Sequence, residues 1–374
     1  MSKSKLCLLM LALVVACQPY FDERINPSFQ ESVETGNAAL RYHFSEYDPG
    51  QRRIYVVDTV FKADTTRATI MSYHINLNRW EILQHAGQVP AEFRNQGLQE
   101  MYFDRSTREL VFITQSLDVL RYSLEESQWE YTVIPNKPPN RAGAGTFRHR
   151  TGIFLAGGRS GVCNQETFQF LTDLWYFEGA SNTWNLLSDS IPPEGREFYI
   201  GIASEDLQNV YLMGGRAYGR TDFPNVWRYH LPTREWSVIR ENFLPPGAFF
   251  VNYGWNSSHV QSEQLTIHGT YSNADAGDIC YFIGETPHSV FMAYNPTTNQ
   301  MEHLTPNPEH TLGSIIYDEL GDQYFHITQG RVLRITQNNT TIDGSTLEPS
   351  RLFRYNPNTD IWQNMGVIPN RITQ

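Results

Sequence analysis

Arginine residues recur at two kinds of position in the sequence. Arg94, Arg141 and Arg196 each follow a proline-bearing stretch, whereas Arg159 and Arg216 come directly after a Gly-Gly pair. Guanidinium groups bind carboxylates and sulfates through several directed hydrogen bonds. Because the protein has a formal net charge of −11, a cluster of these arginines would create a local positive field on an acidic molecule. We therefore expect the five arginines to form an anion-binding site.

A structural role for these arginines is the alternative. Arginine side chains in loops also donate to backbone carbonyls and stack on neighbouring side chains. The pattern alone does not separate the two roles. If the arginines do serve a ligand, they must converge at one end of a repeated fold.

Catalytic signatures are mostly absent from the sequence. The eleven histidines include no closely spaced pair of the zinc-binding kind, and there is no Cys-x-x-Cys, Gly-x-Ser-x-Gly or phosphate-binding glycine loop. We therefore expect no metal, no cofactor and no assigned catalytic residue. If the protein is nevertheless an enzyme, Glu166 or Glu197 could act as the acid or base, and nothing in the spacing selects between them.

An aromatic-rich stretch from 243 to 264 interrupts the otherwise regular pattern of the chain. It contains Trp255, which is the only tryptophan after the N-terminal segment that falls outside a repeat register. An isolated aromatic of this kind can anchor a sugar or a protein partner. It can equally pack into a small core beneath a long loop.

A tryptophan-centred repeat organises most of the chain. The repeat is marked by five tryptophans, each preceded seven residues earlier by an aromatic residue, as in Tyr73 and Trp80. The tryptophans are Trp80, Trp129, Trp184, Trp236 and Trp362, and their aromatic partners are Tyr73, Tyr122, Phe177, Tyr229 and Tyr355. A sixth copy has Tyr294 and, in place of tryptophan, Met301. The copies recur at roughly 50 to 65 residues, and each predicts a strand, a turn rich in Asn, Pro, Thr and Ser, and a second strand.

The repeat resembles the Kelch repeat, in which a hydrophobic strand ends in Gly-Gly and is followed by a spaced tyrosine and tryptophan. Two copies carry the glycine pair, at Gly157-Gly158 and Gly214-Gly215. The resemblance implies an all-β fold, a six-bladed Kelch-type β-propeller with four antiparallel strands per blade, over residues 38–374. The aromatic and tryptophan side chains would then fill the wedges between blades.

The N-terminal segment has the features of an export signal. Lys3 and Lys5 precede an uncharged run from 6 to 15, which is too short to cross a membrane as a helix. The sequence Val-Val-Ala-Cys ending at Cys17 resembles the lipobox of bacterial lipoproteins. The resemblance implies a signal peptide at 1–16, acylation of Cys17 with fatty acids such as palmitate, and a lipid anchor in the bacterial cell envelope. An ordinary secretory signal is the alternative.

The residues next to Cys17 bear on its location. Gln18 in place of aspartate favours the outer membrane, and the polar stretch within 17–37 predicts a tether between the lipid and the propeller. The body of the chain keeps two cysteines, Cys163 and Cys280, and their spacing does not decide whether they pair.

Charge and resemblance together limit the function. An acidic chain lacks the net basic face that nucleic-acid phosphates require, so no nucleic-acid partner is expected. We expect a non-catalytic Kelch propeller lipoprotein that binds a protein or an anionic glycan outside the cytoplasm. The alternative is a carbohydrate mutarotase or epimerase that acts on an acidic sugar of the sialic-acid type, because bacterial Kelch proteins include such enzymes. The copper chemistry of galactose oxidase, which shares the Kelch propeller, is not expected, because the required histidine ligands are not evident near Cys163.

Overall fold

The protein is a β-propeller. The computed structural model describes residues 43–62, 65–83, 90, 98–160, 168–192, 195–216, 225–243, 248–250, 257–259, 264–273, 288–308, 313–328, 331–332, 335–337, 340–342, 347–348 and 350–368. All regular elements within these ranges are antiparallel β-strands. The predicted signal peptide, Cys17, the tether, Arg94, Cys163, Glu166, Trp255 and Cys280 lie outside the described residues.

The first, second and third blades follow one another along the chain. The first blade contains β1 (His43–Asp48), β2 (Arg53–Lys62), β3 (Thr65–His74) and β4 (Arg79–Leu83). The second contains β5 (Leu98–Asp104), β6 (Glu109–Thr114), β7 (Val119–Ser123) and β8 (Gln128–Thr132). The third contains β9 (Gly145–His149) and β10 (Gly152–Ala156), then a separate ribbon of β11 (Arg159–Ser160) and β12 (Gln169–Phe170), and finally β13 (Leu174–Glu178) and β14 (Thr183–Ser188).

The second half of the chain forms two further blades and a sheet of different form. The fourth blade contains β15 (Glu197–Ala203), β16 (Asn209–Arg216), β17 (Val226–His230) and β18 (Glu235–Arg240). The next sheet contains β19 (Ala248–Phe250), β20 (Ser257–His259), β21 (Gln264–Asn273), β22 (His288–Asn295) and β23 (Gln300–His303). The last blade contains β24 (Gly313–Asp318) and β25 (Gln323–Thr328), then the ribbon strands β26 (Arg331–Val332), β27 (Ile335–Gln337), β28 (Thr340–Ile342) and β29 (Leu347–Glu348), and finally β30 (Arg351–Asn356) and β31 (Ile361–Val367).

The expected six four-stranded blades are wrong in number, because five sheets have that form within the described ranges. The remaining sheet has five strands, and its edge is divided. One end of β21 pairs with β20 and the other end pairs with β19, while the opposite side of β21 pairs with β22. Two short strands therefore take the place that one inner strand holds in each four-stranded blade.

Each tryptophan of the repeat lies directly across a hairpin from its aromatic partner. The pairs Tyr73–Trp80, Tyr122–Trp129, Phe177–Trp184, Tyr229–Trp236 and Tyr355–Trp362 are cross-strand neighbours whose ring centroids are 4.8–5.4 Å apart. Two residues before each tryptophan, the backbone turns through a left-handed conformation. The predicted strand–turn–strand unit is confirmed, and its seven-residue spacing follows from this hairpin geometry.

Hydrophobic clusters fill the spaces between consecutive sheets. In the described part of the chain, such clusters join the first and second blades, the second and third, the third and fourth, the fourth blade and the five-stranded sheet, and that sheet and the last blade. A further cluster joins the last blade to the first, where Phe325 and Ile327 pack with Ile54 and Val56. The tryptophans take part, as predicted: the indole Nε1 of Trp184, for example, donates to the carbonyl of Leu117 in the preceding blade at 3.1 Å.

The joint between the first and last blades also contains buried polar contacts. Asp318 is fully buried in the last blade and accepts a hydrogen bond from the Tyr47 hydroxyl of the first blade at 2.6 Å. Arg52, also from the first blade, forms a salt bridge with the same carboxylate. The ring is therefore closed by side chains, since each of these two blades is built from one continuous segment.

Candidate functional site

The predicted arginines of the third and fourth blades lie together at one end of these blades. We call this end the loop face and define it by residues 141–144, 157–160, 195–197 and 214–216. Here β9 and β15 begin, and β10 and β16 end. Arg141, Arg159, Arg196 and the backbone of Arg216 are all on the loop face, whereas Arg94 lies outside the described residues.

The glycine pairs allow neighbouring backbones to meet at the loop face. Gly157 and Gly158 have φ values of 57° and 93°, which favour glycine. A Cβ atom on Gly158 would lie 2.9 Å from the carbonyl oxygen of Ala142. The turn after β10 therefore packs directly on the segment that opens the same blade, and a side chain at this position would separate them.

Arg141 joins the two segments by its side chain, which is fully buried. Its guanidinium donates to the carbonyl of Gly157 at 2.9 Å and forms a two-point salt bridge with Asp173. Trp175 donates to the same carboxylate at 2.6 Å. Burial opposes the ionisation of Asp173, but the hydrogen bonds from Arg141 and Trp175 outweigh it and hold the pKa of Asp173 below its usual value.

Arg196 repeats this arrangement in the fourth blade. Its guanidinium donates to the carbonyl of Gly214 at 2.8 Å and to that of Pro192 at 3.0 Å. It also lies 4.8 Å from the ring centroid of Tyr199, within the range of a cation–π contact. Both arginines thus join the opening of a blade to its glycine turn, which is the structural role described above. Their role in ligand binding stays a prediction.

Arg159 is bound differently. Its Nε donates to Oε2 of Glu197 in the next blade at 2.9 Å, and this is the only hydrogen bond of its guanidinium to another described residue. The side chain of Arg159 is 13% exposed, whereas that of Glu197 is completely buried. The backbone of Glu197 pairs with that of Arg216 across β15 and β16, so the strand positions of two predicted arginines, Arg159 and Arg216, are both next to Glu197.

Glu197 had been only one of two candidate acids in the sequence, and the structure brings it to the predicted arginines. Oε2 of Glu197 would lie 2.6 Å from a Cβ atom on Gly143, which has a φ of 64°. Gly143 therefore leaves room for the carboxylate, and an alanine there would collide with it. With Nε bonded to Glu197, the guanidinium of Arg159 keeps one edge, made by its two terminal nitrogens, next to this carboxylate.

A second charged cluster lies in the central channel and was missed by the sequence reasoning. Arg148 of β9 donates to the carbonyl of Ser45 at 2.6 Å and forms a salt bridge with Glu46, both in the first blade. The buried Glu100 of the second blade lies within electrostatic range. Burial raises the pKa of Glu100. The three charges lie on the first strands of three successive blades, but their spacing from the repeat tryptophans differs, so the repeat pattern gave no signal for them.

The channel cluster joins blades that are not neighbours. Arg148 and Glu46 have side-chain exposures of 16% and 14%, and the guanidinium crosses the inner edge of the second blade to reach the first. Burial lowers the pKa of Arg148, but the carboxylates of Glu46 and Glu100 more than offset this and raise it. This cluster joins non-neighbouring blades, and its guanidinium lies near two carboxylates, Glu46 and Glu100, whereas one carboxylate, Glu197, bonds to Arg159 among the described residues.

Comparison with known protein families yields no matching family model. Among the described residues, no group of three or more His, Cys, Asp and Glu side chains is placed to hold a metal ion. Within those same ranges, no helix is long and apolar enough to cross a membrane.

Proposed function

We propose that the chain is a Kelch-type propeller in which the five-stranded sheet takes the place of a sixth blade. Its support is the pair of hydrophobic clusters on the two sides of this sheet, with Phe243 and Tyr294 on one side and Phe291 and Tyr355 on the other. Tyr294 also faces Met301 across a hairpin, as the other repeats pair an aromatic with tryptophan. The glycine pairs at the third and fourth blades support the Kelch identity.

The propeller is further proposed to be anchored to the bacterial outer membrane through a lipid on Cys17. The support is the lipobox-like sequence at 14–17 and the positive residues that precede the apolar run. A Cys17→Ser variant expressed in the source bacterium is expected to leave the membrane fraction, with Cys163→Ser as the matched control. Continued sedimentation of the Cys17→Ser protein with membranes contradicts the anchor.

The function proposed for the propeller is binding of an anionic ligand, such as an acidic glycan or an acidic protein segment, without turnover. One observation carries it: at the loop face, Arg159 engages its neighbour through Nε alone among the described residues, whereas Arg141 and Arg196 use their terminal nitrogens on backbone carbonyls. The two terminal nitrogens of Arg159 have no hydrogen-bond partner among the described residues, and we propose that they receive the anion. Arg216, whose backbone pairs with that of Glu197 across β15 and β16, is proposed to contribute to the same site.

Calorimetric titration tests the binding proposal. The parent protein is titrated with N-acetylneuraminic acid and with glucuronic acid, and the same titrations are repeated with the double variant Arg159→Ala/Arg216→Ala. Loss of heat in the double variant is expected. Arg150→Ala is the matched control, because Arg150 is an exposed arginine paired with Glu205 at the other end of the third blade. No binding by the parent, or unchanged binding by the double variant, contradicts the anion site.

A mutarotase acting on an acidic sugar is the second candidate, and the Arg159–Glu197 pair favours it. An arginine would hold the sugar carboxylate while Glu197, 2.9 Å from the guanidinium, would move a proton at the ring oxygen or the anomeric hydroxyl. The test is the rate at which the anomers of N-acetylneuraminic acid interconvert, followed by NMR line shapes with and without protein. Acceleration that disappears in Glu197→Gln favours the enzyme, and binding without acceleration favours the non-catalytic role.

A further inference from the structure

Two phenylalanines of the third-blade ribbon are separate from the packing between blades. Phe168 directly precedes β12 and Phe170 belongs to it, and both side chains are partly exposed. Their rings meet edge to face with centroids 5.2 Å apart, which is the only ring contact of either side chain within the described ranges. Neither residue belongs to any of the six hydrophobic clusters that join the sheets. Their position is therefore not explained by the closure of the ring.

The backbone pairing of the ribbon places Phe170 next to Arg159. The two residues are directly opposite each other where β11 pairs with β12. The N–H of Leu171 donates to the carbonyl of Gly158 at 2.8 Å. The N–H and carbonyl of Arg159, by contrast, both bond to Ala142 on the other side. Arg159 and Phe170 are thus a non-hydrogen-bonded pair, in which the Cα atoms are about 4.5 Å apart and the side chains lie close together on one face.

The neighbour of Arg159 on its other side is a small residue. Ala142 forms an antiparallel bridge with Arg159, so its methyl group shares the same face. Glu197, which accepts from Nε, lies against Gly143, the residue after Ala142. The guanidinium is therefore held towards the Ala142 side. Among the described residues it makes no cation–π contact with a phenylalanine, so Arg159 does not cover the ring face of Phe170.

A guanidinium beside a partly exposed aromatic pair suits a ligand with two different parts. One part must be an anion that accepts from the terminal nitrogens of Arg159, and the other must be an apolar surface that packs on a ring. A sugar acid in its pyranose form has both, because its axial C–H groups form an apolar face at a fixed distance from the carboxylate. The face of an aromatic ring is negative and attracts such hydrogens. An acidic peptide carries its carboxylates on flexible side chains and offers no such rigid face.

We infer that Phe168 and Phe170 form the sugar-stacking surface of the loop-face site, whose ligand is a sugar acid in its pyranose form. This inference rests on the proposed function, because it names the ligand class of the same site. Arg159 holds the carboxylate, and the ring of Phe170 packs on the C–H face of the sugar. Phe168 supports Phe170 through its edge and extends the apolar surface. A change at Phe170 therefore alters the preference between a ring sugar acid and an open-chain one, whereas a change at Arg159 weakens both.

The experiment compares two singly charged sugar acids by calorimetry at neutral pH. Methyl β-D-glucuronide is locked in the pyranose form and gluconate is an open chain, with polyglutamate as a third probe. The parent is expected to bind the glucuronide most tightly. In Phe170→Ala, the affinity for the glucuronide is expected to fall on the order of ten-fold and that for gluconate by less than about two-fold. Arg159→Ala is expected to weaken both.

Further variants separate ring stacking from apolar bulk. Phe170→Leu keeps a large apolar side chain without an aromatic face and is expected to lose the preference for the glucuronide, whereas Phe170→Tyr is expected to retain it. Leu186→Ala is the matched control, because it removes an exposed apolar side chain from the outer strand of the same blade. It is expected to leave both affinities unchanged. A variant that only disturbed the ribbon would weaken both sugar acids together, because Arg159 lies on the ribbon as well.

The possible outcomes distinguish the inference from the proposed function. If the parent binds none of the three probes, the proposed function is contradicted and the inference falls with it. If the parent binds polyglutamate but not the glucuronide, an acidic protein segment is the ligand and the inference alone is overturned. Equal affinity of the parent for the glucuronide and gluconate, or an equal loss of both in Phe170→Ala and Phe170→Leu, also overturns the inference and leaves the anion site standing.

Discussion

The second and third blades have the same four-stranded sheet but close it differently at the loop face. In the second blade, β6 and β7 are joined by a tight turn in which the N–H of Thr114 donates to the carbonyl of Asp118 at 2.9 Å. In the third blade, a glycine pair turns the chain after β10, and the ribbon of β11 and β12 follows. Only the third-blade turn brings a cationic side chain against the neighbouring blade, through Arg159.

The second-blade turn is closed by one carboxylate. Asp118 accepts hydrogen bonds from Lys137 at 2.6 Å, Tyr131 at 3.0 Å and the backbone N–H of Ile134 at 2.9 Å. Burial opposes its ionisation, but these donors outweigh that effect and lower the pKa of Asp118. The Ser116 hydroxyl also donates to this carboxylate at 2.8 Å, so four donors from the described residues engage Asp118.

The difference shows how a repeat can separate stability from binding. Asp118 in the second blade and the Arg141–Asp173 pair in the third both tie a turn to the segment that leads into or out of the sheet. The third blade then adds Arg159, which lies on the ribbon strand β11 beyond the Arg141–Asp173 pair. Binding chemistry is therefore expected where a glycine turn extends the loop and not where a side chain caps it.

Removal of the Arg141–Asp173 salt bridge in the third blade should have the largest effect on stability. Arg141→Ala removes the cation of the partly buried Asp173 and the hydrogen bond to Gly157, which is expected to cost about 3 kcal/mol in the free energy of unfolding, the lower end of the range for a fully buried pair. Urea denaturation measures the change. The matched control is Arg150→Ala, which breaks an ion pair whose side chains are 46% and 40% exposed and should cost about 0–1 kcal/mol. Equal losses of unfolding free energy in the two variants would show that the Arg141–Asp173 salt bridge does not stabilise the blade more than a surface ion pair does.

A methyl group in the glycine turn should have the next largest effect. Gly158→Ala forces a side chain into a backbone with a φ of 93° and against the carbonyl of Ala142, so a loss of roughly 2–3 kcal/mol is expected. Thermal unfolding compares it with Gly366→Ala, where only the backbone strain applies and the loss should be about 1 kcal/mol. If Gly158→Ala were no worse than Gly366→Ala, the close approach of the two loops would be refuted.

The two blades also differ at the opposite end, and this difference predicts a pH effect. The last residue of the inner strand is Asp104 in the second blade and the buried His149 in the third. Burial lowers the pKa of His149 from 6.5 to about 4. Because the unfolded chain binds this proton more tightly than the folded protein, stability is lost as the pH falls from about 7 towards 4.

At pH 5 the titration of His149 should remove about 2 kcal/mol of stability relative to pH 8. The measurement is the free energy of unfolding in urea at both pH values for the parent and for His149→Gln. The variant should lose about 2 kcal/mol less than the parent between these pH values. The same pH dependence in both proteins would mean that His149 is already solvated in the folded state.

The repeat was predictable from the sequence because its pairing is local. Seven residues separate Tyr73 from Trp80, so a single hairpin brings them together, and the same holds in every copy. The number of four-stranded blades was not predictable, since the division of one edge into β19 and β20 depends on how both short strands pair with the long β21. The spacing of the repeat residues does not predict that two short strands will pair with β21 in place of one.

The candidate site was predictable only in part. The glycine pairs indicated the loop face and its arginines, but spacing could not show that Arg141 and Arg196 would use their guanidiniums on backbone carbonyls. The partner of Arg159 comes from the next blade, and the partner of Arg148 comes from two blades away. Such contacts depend on how sheets pack around the channel, which a single sequence does not reveal.

The most direct measurement is a crystal structure of the parent protein soaked with glucuronic acid. The sugar carboxylate is predicted to lie within hydrogen-bond distance of both terminal nitrogens of Arg159, with Nε still bonded to Glu197. A sugar bound on any other surface of the ring, or a crystal with an empty loop face under saturating ligand, would contradict the assignment of binding to the third-blade turn.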